Sequence, residues 1–450
     1  MNQETSDNSQ SKELAQGSTK ITVSGYKSIY EECSIEVRPL TILAGANSSG
    51  KSSMMQPLLL LKQTLEAPYD PGPLKIDGPN VRFTSFQQLF SHIDENKSSD
   101  IWSIGMEINK DWGLINKFKL YPDRGIDILE MFVNEKEEER RFAYELSAKE
   151  MQNLMPEKLR KTLYIDRVNI FRNRCFLDVE FEWLSQSPQD QKIYGTGSMS
   201  IPSIAVNIVE SYILGSIHVP GWRGNPAPSY KTTAIGSYFP GHFQDYVASV
   251  VKHWQETKDK RLDELEKALE TLGLTWKVDA KKIDDTQVEL RVGRLPNSGQ
   301  TTDTINIADV GFGVSQVLPV LVALILAEPK QLVYLEQPEL HLHPRAQAGL
   351  AQILADAADR GVLVIAETHS ELLLLAVQSL VAEGKLSPDK VKLHWFTRGE
   401  DGVTEVSSAD LDEAGAFGDW PEDFDDVSLK LENRYLSAAE SRMWERSHGS

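Results

Sequence analysis

The residues Gly45-Ala46-Asn47-Ser48-Ser49-Gly50-Lys51-Ser52 fit the pattern G-x-x-x-x-G-K-[ST]. Glycines at those two places let the backbone curl so that its N–H groups close around phosphate oxygens. A helix opening directly afterwards adds the positive end of its dipole. Lys51 supplies a charge for the phosphates, Ser52 a hydroxyl for magnesium, and Ser53 belongs to the same phosphate-facing turn. The stretch lies between an apolar run, Leu40-Thr41-Ile42-Leu43-Ala44, and an apolar, helix-like segment over 54–65, giving strand, glycine loop and helix in that order. A chance glycine turn explains neither neighbour.

A bound nucleoside triphosphate also needs its magnesium held and its attacking water placed. Two later stretches carry groups for this work. Leu332-Val333-Tyr334-Leu335 reads as a buried strand ending in Glu336 and running into Gln337-Pro338-Glu339, and residues 362–366 read as a second all-apolar strand ending at Glu367-Thr368-His369-Ser370. Apolar strands alternating with helices predict a parallel sheet covered on both faces, with ligands at the carboxyl ends of its strands. Gly45, Glu336 and His369 each follow such an end. Ser52 and Glu336 are therefore expected to take magnesium, and Gln337, Glu339 or His369 to orient water or sense the γ-phosphate. His341 and His343 next to Glu339 lack a closed ligand set for a metal of their own. Trp222-Arg223 could stack on or clamp a phosphate or base, but such a pair more often packs a turn.

Together with these motifs, Gly311-Phe312-Gly313-Val314-Ser315-Gln316 makes the sequence resemble the ABC-type ATPases of the RecF, SMC and overcoming-lysogeny-defect group, over roughly 20–90 and 300–400. The resemblance implies an AAA family ATPase head that uses ATP and Mg2+. Its signature motif corresponds to the glycine-flanked stretch above, with Gly313 and Ser315 reaching the γ-phosphate bound by a second head, and its switch histidine to His369. Gln87 and Gln88 are both available for the family's Q-loop glutamine, and nothing local separates them; Gln88 is carried forward. The family's second acidic motif reads Asp-Glu-Pro-Glu, whereas this chain has Glu336-Gln337-Pro338-Glu339. An amide cannot act as a general base. Either Glu339 or His369 takes that task, or Gln337 only orients water, or turnover is slow.

The resemblance further implies pairing of heads through composite ATP sites, as a homodimer or higher oligomer, and control of a separate effector protein in bacterial anti-phage defence. The stretch after His369 is too short for the Toprim nuclease domain of overcoming-lysogeny-defect proteins, so any nuclease is expected to be a partner. Gly418-Asp419-Trp420-Pro421-Glu422-Asp423-Phe424 resembles a short module that follows the head in one bacterial subgroup. Two alternatives stand beside this reading: a RecF-like repair ATPase that binds DNA directly, and a non-hydrolysing scaffold assembled by ATP.

The elements that must position these groups fit an α/β class, a P-loop NTPase head of ABC type with a mostly parallel core sheet and a large antiparallel, β-rich insertion. Residues 1–19 are polar and read as a disordered tail, 20–90 as the first half of the head, 91–300 as the β-rich and helical insertion, 301–400 as the second half, and 401–450 as a C-terminal module. Within the insertion, 101–183 reads as a β-meander with the charge run 135–141 as an exposed turn, 212–219 as one apolar strand, and 242–272 as mostly helix. At 450 residues and 40% hydrophobic the chain can bury large cores. No apolar run approaches the ~18 residues of a membrane span, and the start lacks signal-peptide regions, so a cytoplasmic protein without membrane contact is expected. Cys33 and Cys175 cannot build a disulfide framework and are expected to be buried or inert. A net charge of −19 argues against wrapping nucleic acid, leaving only a local basic stretch with Lys158, Arg160, Lys161, Arg167, Arg172 and Arg174.

Overall fold

The computed structural model describes residues 19–136, 138–147, 150, 154, 164–186, 193–200, 203–293, 304–418 and 434–437. The polar start up to residue 18, the basic residues Lys158, Arg160 and Lys161, and Asp419 to Phe424 of the C-terminal module lie outside the described residues.

In chain order the elements are β1 (Thr19–Ser24), β2 (Cys33–Val37), β3 (Leu40–Gly45), α1 (Lys51–Leu65), β4 (Ile101–Ile108), β5 (Trp112–Tyr121), β6 (Gly125–Glu135), β7 (Glu138–Phe142), β8 (Tyr164–Asn173), β9 (Phe176–Gln186) and β10 (Ile193–Ser200). There follow α2 (Ile204–Gly215), β11 (Ile217–Val219), β12 (Tyr230–Lys231), α3 (Gln244–Thr257), α4 (Arg261–Thr271), β13 (Val278–Lys282), β14 (Gln287–Gly293), β15 (Thr304–Asn306), α5 (Phe312–Leu326), β16 (Leu332–Glu336), α6 (Pro344–Asp359), β17 (Leu363–Glu367), α7 (Glu371–Ala382), β18 (Val391–Arg398) and β19 (Thr404–Ala409).

The head sheet runs β11-β16-β17-β3-β18-β19. Its first five strands are parallel and β19 closes one edge antiparallel. Every residue of β3 is buried, which is why its sequence shows no polar alternation. Side chains alternate between two cores. Leu40, Ile42, Ala44, Val333, Leu335 and Val364 pack with α3 to α7, while Leu43, Leu332, Tyr334 and Ile365 pack with α1, α2 and the antiparallel strands. Strand periodicity then places Glu336 and Glu367, two residues beyond Tyr334 and Ile365, on the face that carries α1.

The antiparallel sheet β2-β1-β4-β5-β6-β7 is continuous with the head, because β4 pairs with β1. A three-stranded sheet β10-β9-β8 and a four-stranded one, β12-β14-β13 with β15 also on β14, complete the described strands. Residues 91–300 thus do not stand apart from the head, since β11 pairs with β16 in the head sheet itself.

Local differences from the sequence reading have physical causes. Thr19, read as tail, opens β1 and is buried. Residues 212–219 are not one strand: Ser203 caps α2 by accepting from the Val206 amide, Ala205, Val206, Val209 and Ile213 form a helical buried face, and only three residues of strand follow. The charge run at 135–141 is not merely an exposed turn. Glu130 lies between Lys117 (2.9 Å) and Arg141 (2.7 Å), and Glu135, paired with Arg140, accepts from Ser203 Oγ (2.6 Å) and the Ala205 amide (3.1 Å), so it anchors the start of α2.

Candidate functional site

The phosphate loop is shaped by its glycines. Gly45 has φ 140° and Gly50 has φ 110°, both strained for any residue with a side chain. A Cβ on Gly45 would also run into the carbonyl oxygen of Phe396 on β18, and one on Gly50 into Thr404. Thr404 Oγ1 donates to Ser49 O (2.9 Å), tying the loop to β19. Lys51 folds inward and donates from Nζ to Gly45 O (3.0 Å) and Ala46 O (2.8 Å). Burial lowers its pKa and the charge of Glu367 opposes that. The Ser49 hydroxyl is buried with no hydrogen-bond partner among the described residues. Glycine-cradled amides at the start of α1, a lysine and an unsatisfied hydroxyl are what a phosphate chain requires, so the residues fit the nucleotide implied by the motif.

The acidic groups sort themselves in a way the motif did not foretell. Ser52 Oγ donates to both carboxylate oxygens of Glu367 (2.9 and 3.0 Å), and Tyr334 Oη donates to Glu367 Oε2 (2.9 Å). Glu336, expected at Ser52, instead meets His218 Nε2 through Oε1 (3.0 Å) and accepts from the Gly221 amide through Oε2 (3.0 Å). The reason is topological. β17 lies between β16 and β3, so Glu367 reaches Ser52 from the adjacent strand while Glu336 sits one strand farther out, beside β11. His218 stacks on Tyr334 at 5.3 Å between ring centroids, and its Nδ1 lies 3.0 Å from Asn80 Oδ1. Burial raises the Glu367 carboxyl, with the charge of Glu336 adding to the rise against the Tyr334 hydrogen bond, Lys51 and Ser52. In Glu336 burial acts in the same sense, but the His218 contact, the Gly221 amide and Arg223 outweigh it and hold the carboxyl below its usual range.

Glu339 is buried and faces the segment after β17: Oε1 accepts from Thr368 Oγ1 (2.7 Å) and the His369 amide (3.2 Å), while Oε2 has no partner among the described residues. Burial raises its pKa. His369 is half-buried, its pKa lowered by burial and by Lys51, so its imidazole is held neutral. Gln337 has φ 43°, a left-handed conformation, and lines the same cavity as the phosphate loop.

A cavity of about 620 Å3 brings together Asn47, Ser48, Ser49, Gly50, Lys51, Ser52, Ser53, Gln337, Glu367 and His369. Lys27, His92 and Arg398, which sequence reasoning passed over, line it as well. Lys27 Nζ donates to Gln56 Oε1 (2.6 Å), and burial lowers its pKa to about 8. Gln88 does not line the cavity; it is exposed and its Oε1 accepts from the Thr84 amide (3.1 Å), whereas Phe90, His92 and Ile93 just beyond it do. Gly313 and Ser315 also lie outside it, at the start of α5, where Ser315 Oγ donates to Phe312 O (3.0 Å). His343 caps α6, and the His341 ring lies 6.0 Å from that of Phe312.

Arg223, read from the sequence as a turn residue, bridges two elements of the fold. Only 7% exposed, it donates to Gln316 O (3.1 Å) on α5 and to Glu336 O (2.8 Å) and Gln337 O (3.0 Å) at the end of β16. Burial lowers its pKa to about 10, so it stays charged at neutral pH. Its neighbour Trp222 is 83% exposed. Within the described part of the basic stretch, Arg172 forks onto Asp70 (2.8 Å twice) and Arg174 donates to Leu65 O, while Arg167 is exposed. Among the described residues, no helix is long and apolar enough to cross a membrane.

Residues 211–376 match the family described as "AAA domain, putative AbiEii toxin, Type IV TA system". No curated protein matches the chain. Similar solved structures include an SMC head bound to the C-winged helix domain of ScpA (12% identity, TM-score 0.45, 88% of this chain and 98% of that one) and the SMC head domain from Thermotoga maritima (11%, 0.36, 87% and 98%). A third is an SMC head with an extended coiled coil, bound to the C-terminal domain of ScpA, derived from Pyrococcus furiosus (11%, 0.40, 88% and 96%). The strand order β18-β3-β17-β16 and the phosphate loop after β3 give this chain a P-loop α/β fold, and its residues 211–376 are similar to that AAA domain.

Proposed function

We propose that this protein binds ATP with Mg2+ in the cavity at the phosphate loop and hydrolyses it slowly. The observation that carries this reading is the convergence of Lys51, Ser52, Glu367, Gln337 and His369 on one cavity of about 620 Å3. Lys51 and the first amides of α1 hold the phosphates. Ser52, with the carboxylates of Glu336 and Glu367, holds magnesium, which when bound neutralises charge developing on the phosphate oxygens. Gln337 orients the attacking water, and Glu339, whose free Oε2 and raised pKa suit a proton acceptor, takes its proton; neutral His369 senses the γ-phosphate. Loss of the Lys51 charge in Lys51→Ala removes a direct counter-ion, and calorimetry should find ATP binding weakened severely. Unchanged affinity in the folded variant would place the nucleotide elsewhere.

The signature end, Gly313 and Ser315, lies outside the cavity of its own chain, and this supports a composite site in which a second copy presents it to the γ-phosphate. ATP then promotes pairing, and pairing is communicated to a separate effector, a nuclease in the reading we favour, in bacterial anti-phage defence. Mixed Lys51→Ala and Ser315→Arg subunits should retain at most one intact site per pair. Hydrolysis confined to isolated monomers would rule the composite site out. One observation favours a second reading, a scaffold assembled by ATP without turnover: an amide at Gln337 stands where a catalytic carboxylate is expected, and Glu339 is already engaged by Thr368 and His369.

A further inference from the structure

We infer that Glu367, on the strand between the phosphate loop and the acidic motif, is the principal carboxylate that anchors magnesium, ahead of Glu336. The assignment rests on the nucleotide reading above and deepens it.

The geometry separates the two carboxylates in three ways. First, the Ser52 hydroxyl gives its proton to Glu367, at 2.9 and 3.0 Å, so the lone pairs of Ser52 Oγ are left for a cation. A hard divalent ion of this kind takes oxygen ligands, and a serine hydroxyl beside a buried carboxylate supplies two. Second, the oxygens of Glu336 are already committed, one to His218 and one to the Gly221 amide, and a cation would have to compete with both. The oxygens of Glu367 accept hydrogen bonds too, but from Ser52, which would share the cation, and from the Tyr334 hydroxyl, which fixes the carboxylate's orientation; Glu367 also lines the cavity and Glu336 does not. Third, Glu367 pairs in register with Leu43, two residues before Gly45, so it is one strand spacing, about 4.8 Å, from the loop strand, whereas Glu336 is two spacings away. A carboxylate only 5% exposed beside a second acid is also unfavourable when alone, which a bound cation would relieve. Glu336, held by His218, is left to shape the outer side of the site.

The test uses the full chain and measures ATP affinity by calorimetry with Mg2+ and with chelator, together with Mn2+ binding by electron paramagnetic resonance. In the wild type Mg2+ should strengthen ATP binding. Glu367→Gln should lose about tenfold or more of that strengthening, and Glu336→Gln should lose less. A Glu367→Gln protein with the full magnesium effect, or a larger loss in Glu336→Gln, would overturn the assignment. If Glu367→Gln fails to fold by circular dichroism, Glu367→Asp, which keeps the charge but withdraws it by one methylene, should weaken Mn2+·ATP binding, and unaltered Mn2+ affinity there would likewise overturn it. A wild type that binds no ATP with or without Mg2+ would instead refute the nucleotide reading, and this assignment with it.

Discussion

The two sides of the nucleotide cavity are held together by opposite means. On the loop side the contacts that shape the site come mostly from neighbours in sequence: Lys51 donates to the carbonyls of Gly45 and Ala46, and the strained backbone of Gly45 and Gly50 does the rest. On the acidic side almost nothing is local. Glu336 is held by His218 and Gly221, the end of its strand by Arg223, Glu367 by Ser52 and Tyr334, and Glu339 by Thr368 and His369. Removing a loop side chain such as that of Lys51 should therefore act chiefly on ligand contacts and on the loop itself. Substitutions on the acidic side should change catalysis, packing and the link to α5 together.

The largest expected effect tests whether the acidic side still contains a base. Glu339→Gln keeps an acceptor oxygen for Thr368 and His369 but cannot take a proton. Single-turnover hydrolysis should slow by about a hundredfold or more while ATP affinity is retained. An undiminished rate would move the task to His369, or leave Gln337 orienting the water with no protein base. Faster turnover in Gln337→Glu would show that the amide keeps the native rate low.

A smaller effect should come from Arg223, which joins the end of β16 to α5. Arg223→Met keeps much of the apolar stem but leaves the carbonyls of Gln316, Glu336 and Gln337 without their donor. Thermal unfolding should show a loss of about 1–3 kcal/mol. If the proposed composite site is right, the same variant also weakens ATP-driven pairing, because Gly313 and Ser315, proposed to reach a second copy, start the helix that Arg223 holds. A lower melting temperature with pairing intact would confine Arg223 to packing.

This contrast also explains what was legible in the sequence. The phosphate loop, the buried strands β3, β16 and β17 and the helix α5 could be read because each is a local pattern: fixed glycine spacing or an unbroken apolar run. Glu367 was passed over because in sequence it is merely the last residue of an apolar strand before Thr368-His369; its role follows from β17 lying beside β3, which no local pattern states. His218 was hidden because β11 has three residues and follows a helix that reads as strand. Arg223 was singled out within a loop rich in turn formers, but its partners on α5 and at the end of β16 are far away in the chain and no local pattern names them. Gln88 shows the converse, a residue type that fits the resemblance but whose side chain is spent on its own turn.

The smallest expected effect uses pH to sharpen the comparison. Glu339 has a folded-state pKa raised by burial, despite its hydrogen bonds to Thr368 and His369. A carboxyl raised in this way binds more protons folded than unfolded across the interval between its two pKa values. Its contribution to stability is fully present below the unfolded value, near 4.3 for glutamate, and is lost as pH rises through the folded value. Glutamine cannot ionise and escapes that loss. The melting temperature of Glu339→Gln should therefore gain on the wild type as pH rises above the ordinary carboxylate range, then hold a constant difference. Glu336 is shifted the other way, below its usual range, so the stability it contributes is lost only as pH falls through its lowered pKa. Glu336→Gln should thus fall behind the wild type at neutral pH and recover toward it on acidification. Two glutamates three residues apart would then give pH–stability differences of opposite slope, and parallel slopes would mean that burial at Glu339 is balanced by contacts as it is at Glu336.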